Sequence, residues 1–528
     1  MNEDFQDHSA IGILPEELLE KIFSYTSQYR DYDNICLVCK KWNRIIDGLR
    51  KLNKSTFDEC FQNGQIYFRC FENTHSPSHR HSHSSVVFNQ TMYIFGGLSG
   101  TSTSYNDLWT LDLNTKIWSR PSTTGNYPSP KAAATLTPYK NNLILYGGYS
   151  HPYSYPFNQQ VNFFDEFHIY DTITSFWTQK LFPHDSPKLA GHSASVIKNN
   201  ILVLFAGCNA SLGNKTNSIH CLNIETNEWI FVDKIIDGPK PDPRYGHSQF
   251  TLDDNRILVI GGCGGPNKQF VDVWILNFPT DDLNNCFWVP ITVNNLINSP
   301  IQFYCIPFVQ CEQKLITLGR PRASFSYQTL TEVESKNPLT IYNNQIEDRR
   351  CTCSSIDKIV EIKKEENIEE KPSEANLNLL NKSQRNTIKR LEALKKIANK
   401  FNQLKNEKEA KLNQMLSSTN TLNKTRTHCI LHSKFMQIFV LDINALFKTN
   451  ENLNVEWQFP IAHFSSHTPL ETILYSLANG KDELILFGGM ELESQISNLK
   501  PNYDGQQQHK VTNKTYIMKP KGLHITSN

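Results

Sequence analysis

The chain contains no long apolar run. Its longest hydrophobic stretches, such as 201–206, are the length of a strand, far short of the roughly 20 residues that a membrane-spanning helix needs. The first ten residues, MNEDFQDHSA, have neither the basic region nor the apolar region of a secretory signal. We therefore expect no membrane span, and a cytoplasmic or nuclear location.

A strong net charge is also absent. The 53 Lys and Arg residues nearly balance the 52 Asp and Glu residues, which leaves a formal charge of +1. No global electrostatic field therefore indicates nucleic acid as a partner. The thirteen cysteines are an odd number and are scattered along the chain. In a reducing compartment they are predicted to be small hydrophobic residues without disulfides.

No catalytic motif stands out. The glycine-rich stretch 261–265 lacks the Lys-Ser/Thr pair of a P-loop and is not followed by a helix. No Ser/His/Asp arrangement and no pair of acidic residues for hydrolysis can be recognised in addition to the strand pattern. We predict no catalytic residues and no cofactor.

Two clusters could suggest a metal site. Cys36 and Cys39 form a C-x-x-C pair, but no second Cys or His pair follows at ligand spacing. Four histidines, His75, His79, His81 and His83, have no carboxylate or cysteine beside them. Packing in a helix is the simpler explanation of the cysteines, and we predict no metal site in either cluster.

The sequence does contain a repeat of about 50 residues. Each copy has a short apolar strand, a Gly pair, a polar loop, an alternating strand and a closing Trp. The second glycines, Gly97, Gly148, Gly207 and Gly262, are 51, 59 and 55 residues apart. The closing residues are Trp118, Trp177, Trp229 and Trp288. This pattern resembles the Kelch form of the β-propeller blade, which predicts a mainly β fold with four strands in each blade.

The count of repeats predicts six blades. Four complete copies lie within 80–288, a fifth is split between 303–319 and 434–457, and a sixth covers 471–518. No Trp closes the sixth copy, so the strand-like segment 66–69 is predicted to supply its outer strand. The glycines are expected where the chain turns sharply beside the next blade, and the tryptophans are expected to pack between blades. The repeated His83, His192 and His247 are expected to bond the backbone between blades.

Five regions follow from these patterns. They are a small helical domain at 11–50, a connector with the closing strand at 51–72, the first four and a half blades at 73–319, an insertion at 320–430, and the remaining blades at 431–520. The insertion is charged and rich in Asn and Ser, which predicts disorder. A basic amphipathic helix is predicted at 383–416, and whether it binds a partner or lies solvated on the propeller stays open.

The segment 11–50 has a recognisable spacing of residues. Leu14-Pro15 is followed by Leu18 and Ile22-Phe23, and the segment closes with Val38-Cys39-Lys40-Lys41-Trp42. This pattern resembles the F-box, with Thr26 in place of the usual Leu. A small helical domain of this kind implies a core completed against a partner.

The domain order resembles the F-box/Kelch substrate adaptors of SCF-type ubiquitin ligases. The resemblance implies a non-catalytic chain whose F-box docks on the Skp adaptor, which joins a cullin scaffold, while the propeller holds a protein target. The residues expected to bind the adaptor are Leu14, Pro15, Leu18, Ile22, Phe23, Val38 and Trp42. A plain Kelch scaffold is the alternative, and a propeller enzyme is a more remote one.

One face of the propeller is predicted to bind the target. Basic residues recur just before the first strand of the blades, and one long loop is rich in aromatic residues. The expected face comprises Arg80, Lys131, Lys188, Arg244, Tyr149, Tyr153, Tyr155 and Phe157. A basic ring beside exposed aromatic anchors predicts an acidic or phosphorylated segment as ligand. Internal bonding of the same residues is the competing interpretation.

Overall fold

The protein is described here from a computed structural model. The described residues are 11, 14–63, 65–71, 75–151, 161–182, 186–209, 214–232, 238–265, 268–280, 282–322, 435–448, 453–458, 468–491 and 510–520. The basic helix expected at 383–416 lies outside them, as does nearly all of the insertion at 320–430.

Three helices open the chain: α1 (Glu16–Ser24), α2 (Asp31–Cys36) and α3 (Lys40–Asn63). Glu16 and Glu17 lie in the first turn of α1, where carboxylates complement the partial positive charge of a helix N-terminus. Apolar side chains at three- and four-residue spacing bury one face of each helix. Their shared core contains Leu19, Phe23, Tyr32, Ile45, Ile46 and Leu49.

Helix α3 is longer than the sequence suggested. Residues 51–63, expected to belong to the connector, are the C-terminal half of one continuous helix of 24 residues. Its apolar residues Phe57, Cys60 and Phe61 are buried in the largest hydrophobic cluster of the propeller. The helix therefore runs without a break from the F-box region into the β structure.

Within the described residues, the β structure consists of six groups of strands, each built around an antiparallel ladder. The first group is β2 (Ser84–Phe88), β3 (Thr91–Phe95), β4 (Leu108–Asp112) and β5 (Trp118–Ser119). The second is β7 (Thr135–Tyr139), β8 (Asn142–Tyr146), β11 (Phe167–Asp171) and β12 (Phe176–Lys180), with β6 (Thr124–Gly125) parallel to β12. The third is β13 (Ser193–Ile197), β14 (Ile201–Cys208), β15 (Lys215–Asn223) and β16 (Glu228–Phe231).

The remaining groups repeat this order. The fourth is β17 (Ser248–Asp253), β18 (Arg256–Ile260), β21 (Val273–Asn277) and β22 (Phe287–Asn294). The fifth is β23 (Val309–Cys311), β24 (Lys314–Gly319), β25 (Gln437–Asp442) and β26 (Asn454–Trp457). The sixth is β28 (Ser476–Asn479), β29 (Leu484–Phe487), β32 (Thr515–Pro520) and β1 (Ile66–Phe71). A parallel pairing of β22 with β26 joins the fourth and fifth groups into one sheet.

Short ladders lie in the loops between the second and third strands. They are β9 (Tyr149–Ser150) with β10 (Asn162–Phe163), β19 (Cys263–Gly265) with β20 (Lys268–Gln269), and β30 (Met490–Glu491) with β31 (Lys510–Val511). β30 also pairs with β27 (Thr472–Ile473), which lies before the first strand of the sixth group.

The second strand of each group is apolar along its length. In β8 and β18, every side chain after the first residue is buried, and all eight residues of β14 are buried. A strand covered on both faces needs apolar residues at consecutive positions, not at alternate ones. The groups therefore stack face to face as blades, as the repeat pattern predicted.

The first strand of the chain pairs with the last. β1 lies antiparallel to β32, with Ile66 opposite Pro520 and Phe71 opposite Thr515. The innermost strands of neighbouring blades are also in contact, including β28 of the last blade with β2 of the first. The expectation that an N-terminal strand completes the final blade is confirmed, and the fold is a mainly β propeller.

Candidate functional site

A closed ring of backbone hydrogen bonds surrounds the propeller axis. Each blade contributes one residue, which lies shortly before the first strand of that blade. The N–H of this residue donates to the carbonyl of the equivalent residue in the preceding blade. The ring runs Ser82, Ala133, Gly191, Gly246, Cys305 and Leu474, with N···O distances of 2.9 to 3.2 Å. All six residues have a left-handed backbone, with φ between +51° and +64°. The ring could not be predicted from sequence because its six members share no side-chain chemistry.

The Gly pairs lie beside this ring. The N–H of Gly97 donates to the carbonyl of Lys131 in the next blade at 2.9 Å, and Gly148 donates to Leu189 at 2.7 Å. A Cβ atom on Gly96 would lie 2.3 Å from the Lys131 carbonyl oxygen, closer than any side chain tolerates. The predicted role of the glycines, a sharp turn with close approach to the next blade, is confirmed.

The loops that follow the Gly pairs begin at the ring. Isolated bridges join His81 to Leu98, Ala132 to Tyr149, Ala190 to Cys208 and Tyr245 to Cys263. In each pair, the first residue directly precedes a ring residue and the second directly follows a Gly pair or Ala206-Gly207. These loops therefore lie together at one end of the central axis, which we call the target-side face.

Two of the basic residues predicted for this face are buried. Arg80 and Arg244 have no exposed surface. Arg80 donates to both carboxylate oxygens of Asp107 at 2.7 and 2.9 Å and to the Gly96 carbonyl at 3.0 Å. Arg244 makes the same bonds to Asp272 and to the Gly261 carbonyl.

Each carboxylate is held further by a tryptophan. Trp109 Nε1 donates to Asp107 and Trp274 Nε1 donates to Asp272, both at 2.7 Å. Burial alone would raise the pKa of Asp107, but the bonds from Arg80 hold that pKa below its usual range. These charges are neutralised inside the blades, so they cannot attract a ligand.

Lys131 has the same internal role in the second blade. Its ammonium is buried and donates to Glu166 Oε2 at 2.6 Å. The first and fourth blades have an Arg–Asp pair at this position, whereas the second blade has a Lys–Glu pair. The Lys side chain is shorter than that of Arg, and the Glu side chain is longer than that of Asp. Burial lowers the pKa of Lys131, and the neighbouring Glu166 opposes that shift. The basic ring predicted from Arg80, Lys131 and Arg244 is therefore wrong, because each side chain bonds a carboxylate within its own blade.

The other predicted residues of the face divide into three cases. Lys188 is exposed, one position before the buried Leu189 that occupies the basic position of the third blade. Tyr149 is buried rather than exposed, and its ring stacks on Phe163 with centroids 6.1 Å apart. Tyr153, Tyr155 and Phe157 lie outside the described residues.

The repeated histidines link adjacent blades through hydroxyl groups. Nε2 of His83 lies 2.8 Å from Ser476 Oγ, and Nε2 of His247 lies 2.6 Å from Ser193 Oγ. His192 forms the same kind of bond with Thr135 Oγ1 at 3.1 Å. The expected link between blades is present. These three bonds go to side-chain hydroxyls, and His247 also has the expected bond to the backbone, at Phe205 of the preceding blade. Burial lowers the pKa of His83 and of His192 to about 3, so both rings are neutral at physiological pH.

The closing tryptophans fill the space between blades. Trp177 and Trp118 are buried, and their rings lie 5.6 and 4.8 Å from Phe95 and Phe487 of the preceding blades. Trp288 packs on Phe205 in the same way at 4.8 Å. The structural role predicted for these residues is confirmed.

The F-box region exposes a strip of apolar side chains. Leu18, Ile22, Leu37 and Val38 are 49%, 40%, 84% and 54% exposed. Pro15 is also exposed, at the start of α1. Leu37 was not predicted, although it directly precedes the Val-Cys-Lys-Lys-Trp motif. We call Leu18, Ile22, Leu37 and Val38 the F-box strip.

Three residues predicted for adaptor binding lie inside instead. Phe23 is buried, and its ring packs edge-on against Trp42 with centroids 5.0 Å apart. Leu14 and Trp42 are half-buried and pack against the core of the three helices. Phe23 was wrongly placed on the docking surface, because it occupies the inward face of α1.

The described part of the chain contains no group of three His, Cys, Asp or Glu side chains arranged to hold a metal ion. Among the same residues, no helix is both long enough and apolar enough to cross a membrane.

Two family models match the chain. Residues 11–52 match the F-box-like family, and residues 80–283 match the model described as FBX42, beta-propeller domain. The chain therefore carries an F-box-like domain ahead of a Kelch-type propeller and resembles FBX42. The order of the two matches is that of the helical region and the blades in the structure.

Curated relatives of this F-box/Kelch protein share its Kelch region. Human Kelch domain-containing protein 1 is 28% identical over 228 residues, which covers 39% of this chain and 53% of the relative. Rat Kelch domain-containing protein 3 is 27% identical over 209 residues, covering 38% and 52%. The chain thus spans about half the length of these relatives. A solved structure, that of YjhT, aligns with a TM-score of 0.37 at 18% identity over 48% of this chain and 77% of its own.

Proposed function

We propose that this F-box/Kelch protein is the substrate-recognition subunit of an SCF-type ubiquitin ligase. The F-box would dock on the Skp adaptor, which joins a cullin scaffold, and the propeller would hold a protein target for ubiquitin transfer. The proposal places the protein in the cytoplasm or nucleus, where such ligases act. Catalysis by proximity needs no reactive group on this chain.

The F-box strip is the observation that carries the proposal. Four large apolar side chains are exposed on a domain of three helices, although the same helices bury a compact core of their own. Large apolar side chains left exposed on a folded domain are typical of protein interaction sites. Their position in the segment that matches the F-box-like family supports the Skp adaptor as the partner.

The target would bind at the target-side face. The loops that follow the Gly pairs gather there, and loops held by a rigid scaffold commonly carry recognition. Arg80, Lys131 and Arg244 contribute nothing to this contact, since their charges are already paired. The recognition of a target therefore depends on the loops, and their exposed residues include Thr101, Ser102 and Lys268.

The deciding experiment measures adaptor binding to the full chain. Leu18→Asp with Ile22→Asp would place two charges within an apolar contact, and we expect at least about a hundredfold weaker binding to a purified Skp adaptor. Leu52→Asp is the matched control, because Leu52 is 60% exposed on α3 but outside the strip. Undiminished adaptor binding by the double variant would refute the proposal.

A second measurement separates a ligase subunit from a plain scaffold. Proteins captured by the propeller would be tested for ubiquitin after reconstitution with the adaptor, cullin, activating enzyme and conjugating enzyme. A ligase subunit raises ubiquitin on the captured protein, and the double variant abolishes that increase. A scaffold would capture the same protein without modification.

A further inference from the structure

Tyr29 extends from the F-box region into the propeller. It lies in the loop between α1 and α2, a segment that the sequence pattern indicates only as a polar break. Its hydroxyl donates to Oε1 of Glu483 at 2.7 Å and accepts a hydrogen bond from the backbone N–H of Lys481 at 2.7 Å. Both partners belong to the turn between β28 and β29 of the sixth blade.

Glu483 is the centre of this contact. Its side chain has no exposed surface. Lys116, from the turn between β4 and β5 of the first blade, contacts Oε1, and Lys519 Nζ of β32 lies 3.1 Å from Oε2. A buried carboxylate is costly unless it is paired and hydrogen-bonded. The groups that pair it come from the F-box region and from two blades.

The aromatic ring of Tyr29 adds a second set of contacts. The ammonium groups of Lys116 and Lys481 lie 5.0 and 5.6 Å from its centroid, within the range of a cation–π interaction. Lys481 Nζ also donates to the Gln28 carbonyl at 3.0 Å. Burial, followed by the neighbouring Glu483, raises the pKa of Tyr29, so its hydroxyl stays protonated and donates.

The turn of the sixth blade is shaped to admit this side chain. A Cβ atom on Gly480 would lie 2.4 Å from the Tyr29 hydroxyl oxygen. The Gly480 N–H donates to the Glu483 carbonyl at 2.8 Å, so the turn keeps its own bond independently of Tyr29. Glycine at this position therefore leaves room for the F-box loop.

A second attachment lies along α3. Phe57 and Phe61 are buried in one cluster with Leu477 of the sixth blade and Leu315 of the fifth. Asp58 lies 3.5 Å from Lys314 Nζ. One attachment would leave the F-box free to rotate about it, whereas two separate attachments remove that freedom.

We propose that Tyr29 and Glu483 are positioning residues that, together with α3, hold the F-box strip in one fixed orientation to the target-side face. The inference rests on the proposed function, because the orientation matters when an adaptor and a target are bound at the two surfaces. Ubiquitin transfer then occurs across one fixed separation. Misplacement of reacting groups by even an ångström can lower a rate by orders of magnitude.

The attachment itself can be tested without any partner. Residue-resolved hydrogen exchange on the full chain would compare wild type with Tyr29→Phe and Tyr29→Ala. We expect exchange of the Lys481 amide to rise at least about tenfold in both variants, because its acceptor is removed. The Gly480 amide should be unchanged, since its acceptor is within the turn. Tyr127→Phe, at an exposed tyrosine of the second blade, is the control. Unchanged exchange at Lys481 would overturn the inference.

The consequence for transfer can be tested without knowing the target. A short lysine-bearing acceptor peptide would be inserted after Thr101, which is exposed in a loop of the target-side face, and its modification followed in the reconstituted ligase. At saturating Skp adaptor, Tyr29→Ala should lower the transfer rate about tenfold without changing the adaptor affinity, and Tyr29→Phe should restore part of the rate. Transfer at the wild-type rate by Tyr29→Ala would refute a positioning role.

The two failures are distinguishable. If the wild-type chain binds no adaptor or leaves the acceptor peptide unmodified, the proposed function fails, and the hydrogen exchange alone decides whether Tyr29 and Glu483 fix the F-box. If the wild-type chain is active and Tyr29→Ala changes adaptor affinity instead of the rate at saturation, the inference fails while the proposed function stands. An unchanged thermal midpoint of Tyr29→Phe would exclude general unfolding as the cause of its effects.

Discussion

The F-box and the propeller differ in the exposure of the residues that their sequence patterns emphasise. The propeller has cations at repeated positions, and it buries them: Arg80, Lys131 and Arg244 each bond a carboxylate of their own blade. The F-box has apolar residues at helical spacing, yet it leaves Leu37 and Val38 in water. The comparison shows that residue type alone does not identify a binding surface. Charged side chains can be buried and apolar side chains can be exposed, so the exposure of each residue must also be known.

Breaking a buried pair of the propeller should have the largest effect on stability. Arg244→Met would leave Asp272 without its bidentate partner, and we expect the free energy of unfolding to fall by about 3 kcal/mol, the lower end of the cost of breaking a buried pair, because the Asp272 side chain is 36% exposed. Denaturant unfolding followed by tryptophan fluorescence measures this change. Lys188→Met removes a basic residue that is exposed and should leave stability unchanged. Equal stability of both variants would contradict the internal role of Arg244.

The close contact between blades should give the next largest effect. In Gly147→Ala, the new Cβ would lie 2.4 Å from the Leu189 carbonyl oxygen, at a φ of +68°, and we expect a loss of about 2 kcal/mol. The third blade supplies a matched control, because Ala206 already has a φ of +59° at the corresponding position. Ala206→Gly should therefore be neutral or slightly stabilising in the same unfolding measurement. A stable Gly147→Ala variant would show that neighbouring blades can separate more easily than the structure indicates.

The buried histidines make stability dependent on pH. Because the pKa of His83 is about 3 in the folded chain and about 6.5 when unfolded, the unfolded state binds more protons between these values. Stability is therefore retained above pH 6.5 and lost as the pH falls below it, by about 1.4 kcal/mol per pH unit for each such histidine. His83→Gln should reduce the slope of unfolding free energy against pH between pH 6 and pH 4 by that amount. An unaltered slope would mean that His83 is not kept neutral in the fold.

The smallest effect on stability is expected in the F-box strip. Leu37→Ser should change the free energy of unfolding by less than about 0.5 kcal/mol, as surface substitutions usually do, because the side chain is 84% exposed. Its affinity for the Skp adaptor should nevertheless fall about tenfold, since the side chain is buried on binding. Titration calorimetry measures the affinity. A stability loss as large as that of Arg244→Met would place Leu37 in the core and remove the contrast between the two regions.

The parts of the fold that were predicted from sequence depend on local and repeated features. A Gly pair after an apolar strand and a closing Trp recur at similar spacing, and each acts within one blade or on the next. The pairing of the N-terminal strand with the last blade also followed from the sequence, because the sixth repeat lacks its final strand. These signals are periodic, and periodicity is the strongest information in a single sequence.

The burial of the basic residues could not be predicted in the same way. Whether Arg80 is exposed depends on Asp107, which lies 27 positions along the chain and whose side chain points to the same place only in the folded blade. An acidic residue recurs after three of the Gly pairs, at Asp107, Glu166 and Asp272. This recurrence was the available sequence signal that the basic residues are paired internally. Tyr29 gave no signal, since its partners Lys481 and Glu483 are distant in sequence and Tyr29 itself belongs to no repeat.

The ring of six backbone hydrogen bonds has a consequence for how the propeller can diversify. Its bonds use only main-chain atoms, so Ser, Ala, Gly, Cys and Leu all occupy equivalent places in it. At Gly246 a Cβ atom would lie 2.7 Å from Cys305 Sγ, so this position is restricted to glycine. Side chains at the other five positions can be exchanged without breaking the ring of hydrogen bonds, provided that they tolerate a left-handed backbone. New recognition could be selected there with little cost to the fold that supports it.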